Sequence, residues 1–176
     1  IKMASNQPTE AVVVVPNEDI YIPSPGVYKS GTNTGAGANL TVAAGTGKFL
    51  SGESNPAGTG YSNKVALGDV VYEPSTGSIA QVIAIVSEDA LTLSAPGVGG
   101  GAAFDIYRGN GGAANLKSGN EGFSLFVGTA GDLRVIPASS EEPVDLKNIS
   151  NNSYVPLQVI RVFATGTSAS DILALK

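Results

Sequence analysis

Short β-branched and aromatic runs, closed off by glycine, proline, asparagine and serine, follow one another along almost the whole chain. They fall at residues 11–15, 19–22, 39–43, 48–51, 69–73, 79–87, 90–94, 103–107, 122–127, 133–137, 144–146, 155–163 and 171–175. No segment sustains the apolar period of a helix. Only residues 169–175 admit a short helical turn, capped by Asp171, and strand is favoured there too. Many short strands separated by closely spaced turn signals predict an all-β protein of small barrels or sandwiches.

Two stretches interrupt the pattern: residues 24–38, and residues 97–101 followed by 109–120, both rich in glycine. They divide the chain into an extended N-terminal arm with a Gly-rich linker (1–45), a small β-barrel-like module (46–108), a second Gly-rich linker (109–120) and a C-terminal β-sandwich-like module (121–176). Within the middle module, Gly68-Asp69 turns the chain into Val70-Val71-Tyr72, and Pro74-Ser75-Thr76-Gly77 is a four-residue turn. The run at 79–86 is apolar on both faces, as in a barrel strand bent across a core.

Composition narrows the function. The 176 residues include no histidine and no cysteine. That removes Ser-His-Asp and Cys-His catalysis and any metal site built on imidazole or thiolate. The net charge of −5 lacks the basic face that nucleic acid requires. No apolar run approaches the roughly 20 residues of a membrane-spanning helix, and none reads as an export signal. Charged residues make up 14% of the chain, below the ordinary share of about 25%. A surface that poor in charge suits packing against copies of itself. The expectation is a non-enzyme with no cofactor and no metal, binding neither nucleic acid nor membrane.

The motifs that resemble catalytic signatures fail on spacing. Gly45-Thr46-Gly47-Lys48 suggests a phosphate loop, but that loop needs glycine at 42 and Ser or Thr at 49, where Val42 and Phe49 stand. Gly97-Val98-Gly99-Gly100-Gly101-Ala102 matches a dinucleotide fingerprint only in form, because a strand pattern follows it instead of a helix. Glu141 and Glu142 are adjacent and point to opposite faces of an extended chain, so with Asp145 they read as a solvated turn. Asp69, Glu88 and Asp89 also sit at turns, without calcium-loop spacing. Tyr61, Tyr72 and Tyr107 could stack on sugars, but without tryptophan nothing marks a carbohydrate platform.

Two motifs carry a resemblance. Gly131-Asp132-Leu133-Arg134-Val135, then Pro156, Arg161-Val162, Ala164-Thr165-Gly166-Thr167 and Ala169, resemble the C-terminal pattern of head-spike base proteins of tailed phages and gene transfer agents. Gly47-Lys48-Phe49-Leu50, Val65, Gly68-Asp69-Val70-Val71-Tyr72, Thr76-Gly77, Val82, Val86 and Leu91-Thr92-Leu93-Ser94 are similar to a recurring pattern in phage structural proteins. In that pattern Gly47-Lys48 opens the first strand of the module.

The resemblance implies a non-enzymatic virion protein on the capsid exterior, a head decoration protein or a head-spike base, with copies of itself and the major capsid protein or other virion proteins as partners. The alternatives are a tail, neck or baseplate component, or a carbohydrate-binding host-attachment module. Val12, Val13, Val14 and Val15 form the candidate strand for pairing with a neighbour. Ala164, Thr165, Gly166 and Thr167 form a second candidate contact.

Overall fold

The structure is a computed structural model that describes residues 8–52, 64–109, 122–140 and 142–176. Among these residues there is no helix, and two antiparallel six-stranded sheets account for the fold. The chain divides into two compact units. Described residues 27–109 lie in one, and residues 8–26 with 122–176 lie in the other.

The middle unit is a curled half-barrel. It contains β2 (Val27–Thr32), β3 (Asn39–Thr41), β4 (Val70–Glu73), β5 (Ser78–Ser87), β6 (Ala90–Leu93) and β7 (Ala103–Tyr107), in the order β2-β7-β4-β5-β6-β3. The long apolar strand β5 bends at two irregularities in its pairing with β6, which curls the sheet around Leu40, Phe49, Val71, Val82, Leu91, Phe104 and Ile106. Just beyond β2 the chain reaches back to β3: the Thr34 amide donates to the Thr41 carbonyl at 2.7 Å. Buried Asn33 locks this seam. Its Oδ1 accepts from the Gly35 and Thr41 amides at 2.8 and 3.0 Å, and its Nδ2 donates to the Val98 carbonyl at 2.9 Å.

The second unit contains β1 (Ala11–Val13), β8 (Phe123–Thr129), β9 (Gly131–Pro137), β10 (Val144–Ile149), β11 (Ser153–Val162) and β12 (Ser170–Leu175), in the order β1-β12-β8-β11-β9-β10. Residues 171–175 are strand, as favoured.

Several expected boundaries are corrected. Described residues 8–45 do not form one arm: β1 joins the C-terminal sheet, while β2 and β3 belong to the half-barrel, so the break falls after Gly26. β2 was hidden because YKSGT has too little apolar content to read as a strand; pairing with β7 makes it one. Residues 19–22 are not a strand either. Asn17 Oδ1 accepts from the Asp19 and Ile20 amides and turns the chain there. The 109–120 linker and Glu141 lie outside the described residues, apart from Gly109.

Residues 48–51 are a turn, not a strand. Lys48 has a φ of 46°, and the Gly52 amide returns to the Lys48 carbonyl at 2.9 Å. The β5–β6 hairpin imposes this. Asp89 accepts from the Gly45 and Gly47 amides at 2.7 and 2.8 Å, and Glu88 accepts from the Leu50 and Ser51 amides at 3.1 and 3.0 Å. The loop that suggested phosphate binding does present its backbone amides to an anion, and that anion is the protein's own Asp89 carboxylate. A Cβ on Gly47 would lie 2.3 Å from the Glu88 carbonyl oxygen, so only glycine fits.

The Ser51 amide for Glu88, and the Gly45 and Gly47 amides for Asp89, hold both carboxyls below the usual carboxylate range. Their contribution is therefore complete above the unfolded pKa of about 4 and is lost as pH falls through the lower folded values. Asp89→Asn should reduce stability at pH 7 and lose less stability than the wild type between pH 5 and 2. Urea denaturation across that range checks this. Gly47→Ala should cost roughly 2–4 kcal/mol in the same assay.

Candidate interaction surface

In an antiparallel sheet, residues opposite one another across strands share a face. Val12 lies opposite Ala174, Ala174 opposite Leu125, and Leu125 opposite Val155. All four are buried. The neighbouring row must point the other way. It runs Val13, Leu173, Phe126, Tyr154, again in direct register across four strands. Its inner members are half-buried, and both ends, Val13 and Tyr154, are 53% exposed. This is a continuous apolar row across the outer face of the sheet, about 15 Å long at ordinary strand spacing.

The four candidate valines therefore do different jobs. Val12 and Val14 face the core, Val13 heads the outer row, and Val15 is half-buried beyond the strand. The sequence run is apolar on both faces, but only one face is covered by its own chain.

The edges of the sheets differ as well. In the half-barrel, the β3 edge is tied by the Thr34–Thr41 bond, and the β2 edge carries Lys29 and an irregularity between Val27 and Lys29. β10 is an edge guarded by Asp145, Lys147 and a break in register between Leu146 and Ile149. β1 carries no charge and no bulge. Glu10 and Lys176 exchange both backbone hydrogen bonds, at 3.0 Å each, and the Val14 amide donates to the Ile172 carbonyl at 2.9 Å. Alternation then turns the amides and carbonyls of Ala11 and Val13 away from β12. Among the described residues no strand pairs with that side.

The second candidate, Ala164 to Thr167, is a surface loop tied into its own chain. The Thr165 amide donates to Glu18 at 2.6 Å, and Thr167 Oγ1 accepts from the Arg134 amide at 3.0 Å. Gly166 has a φ of 91°, and a Cβ there would press on Arg134. The Thr165 amide, aided by its hydroxyl and by Arg134 and Arg161, lowers the Glu18 carboxyl below its ordinary range. Arg161 donates to the Glu18 carbonyl at 2.9 Å and lies between Tyr21 and Phe163, 4.8 and 4.6 Å from the ring centroids. Arg161 Nε is buried without a hydrogen-bond partner, a cost that the two ring faces offset. Val13 and the 164–167 loop thus belong to one unit, but the loop's hydrogen bonds serve to fix it in place.

The sequence missed one site altogether. Asp69, read as a turn residue, is buried, and it accepts from the Ala66 and Gly109 amides, from Arg108 and from the Tyr28 hydroxyl. Burial first, then Asp69, pushes the Tyr28 hydroxyl far above its usual range. With Arg108 stacked 4.3 Å from the Tyr28 ring centroid, every group is partnered, and the cluster ties β2, β4 and the end of β7 together.

A cleft of about 280 Å³ opens between β2 and residues 42–47, but the phenylalanines that floor it, Phe49 and Phe104, are 1% exposed and offer no stacking face. Tyr72 and Tyr107 meet edge to face, with centroids 6.5 Å apart, rather than forming a flat platform. Tyr61 lies outside the described residues. Among the described residues no group of three or more acidic side chains is placed to hold a metal.

No protein-family model matches this chain, and comparison with curated proteins and with solved structures gives no match. Over the described residues, the fold and the surface define a two-unit, all-β protein in which the uncharged edge strand β1 lies beside an apolar row.

Arg161→Lys keeps the charge but loses the planar guanidinium between two rings. It should reduce stability by about 1–2 kcal/mol in urea denaturation. An unchanged midpoint would mean that the stack contributes nothing.

Proposed function

We propose that this chain is a non-enzymatic structural protein of a tailed-phage virion, a head decoration or head-spike base protein on the capsid exterior. It works by packing against copies of itself and against the major capsid protein. The observation that carries this reading is the exposed row Val13, Leu173, Phe126, Tyr154, lying beside an open strand edge. A row of this kind gains free energy when a partner removes it from water. An exposed tyrosine such as Tyr154 is the kind of side chain on which interfaces concentrate their affinity.

The rest of the molecule suits such a role. Its turns are pinned by carboxylates and its charge is low, so it can present a fixed surface with little desolvation cost. The resemblance of the 131–135 and 161–169 motifs to spike-base proteins supplies the virion setting.

The double variant Val13→Asp with Tyr154→Asp tests the reading. Both side chains are more than half exposed, so far-UV circular dichroism should stay that of the wild type. Occupancy on purified phage particles should fall at least tenfold. Wild-type occupancy of a folded double variant would overturn the proposed surface, and absence of the wild-type protein from particles would overturn the virion role.

A further inference from the structure

Resting on that reading, we infer that the β1 edge joins the β1 edge of a second copy, antiparallel and centred on Val12, so that two six-stranded sheets become one. The outward backbone groups fix this register. Ala11 and Val13 turn their amides and carbonyls away from β12, because Glu10, Val12 and Val14 are the residues bonded to it. A two-fold axis at Val12 places Ala11 opposite Val13 of the other copy, and Val13 opposite its Ala11. In that arrangement each pair exchanges two hydrogen bonds, and every outward group of the strand is satisfied. The edge is self-complementary, as a two-fold contact requires.

Three observations favour a second copy over an unrelated strand. The other edges are tied or guarded: β3 is tied where the Thr34 amide bonds the Thr41 carbonyl, β2 carries inward Lys29 and an irregularity between Val27 and Lys29, and β10 carries Asp145, Lys147 and a bulge. Within its three residues β1 carries neither a charge nor a bulge. The pairing is also continuous with the outer apolar row. On the outer face Val13 comes beside Ala11 of the other copy, whose own row neighbour is Leu175. Finally, the Ala11 and Val13 side chains are exposed and free to pack beside those of the other copy.

Proline at position 13 is the sharp probe. The Val13 amide points outward, so proline removes no hydrogen bond within the chain, and its φ suits an edge strand. It does remove two of the hydrogen bonds between copies. Val13→Pro should keep the wild-type circular dichroism spectrum and raise the dimer dissociation constant at least tenfold in sedimentation equilibrium.

Because the chain has no cysteine, single cysteines give a second, register-specific reading. A mixture of Ala11→Cys and Val13→Cys proteins places sulfurs on directly opposed residues, about 5.5 Å apart at Cα, and should form disulfide-linked dimers under mild oxidation. Val13→Cys alone leaves its two copies about 8 Å apart, beyond disulfide reach, and should cross-link at least tenfold less. Equal cross-linking of the mixture and of Val13→Cys alone would overturn the register. A wild-type dimer left intact by Val13→Pro would overturn the β1 contact while the oligomeric reading stands. A chain that neither dimerises nor cross-links, in solution or on particles, would overturn both.

Discussion

The register of β1 against β12 decides which side chains of the C-terminal sheet meet water. With Val12 opposite Ala174, the row through Leu125 and Val155 goes inward, and the row through Val13, Leu173, Phe126 and Tyr154 goes outward. A slip of one residue would exchange the two rows. Burying Val12, Ala174 and Leu125 is worth several kcal/mol at about 25 cal/mol per Å², which holds the register. The exposed row is therefore a consequence of the core. The same pairing leaves β1 at the edge, so the apolar face and the open backbone are set by a single choice of partner strand.

A second device runs through the molecule: carboxylates that accept backbone amides at turns. Asp69 holds Ala66 and Gly109, Glu73 holds Gly99, Asp89 holds Gly45 and Gly47, Glu88 holds Leu50 and Ser51, Asp132 holds Asn148, and Glu18 holds Thr165. Much of the acidic excess is thus engaged inside the chain rather than offered to partners. Turns fixed in this way keep the sheets' outer faces in one conformation, and binding then has less ordering entropy to overcome.

The strand pattern was legible because alternation and turn residues are local. β4 to β7 and β8 to β12 lie where the apolar runs placed them, within a few residues. The misreadings have one cause: structure imposed by partners distant in sequence. β2 is a strand because β7 pairs with it, although Tyr28, Lys29, Ser30 and Gly31 look like a loop. Lys48 to Ser51 is a turn because Glu88 and Asp89 reach it from about 40 residues away. The candidate valines were found from their composition. Which of them faces outward depends on β12, more than 150 residues along the chain, and no local signal carries that.

The decisive measurement is cryo-electron microscopy of the virion proposed to carry this chain. Density for this chain is expected on the capsid exterior, with Val13, Leu173, Phe126 and Tyr154 covered by a neighbouring subunit and Ala11 and Val13 hydrogen-bonded across the β1 edge. A particle map in which the chain is present but this row and this edge face solvent in every copy would contradict it.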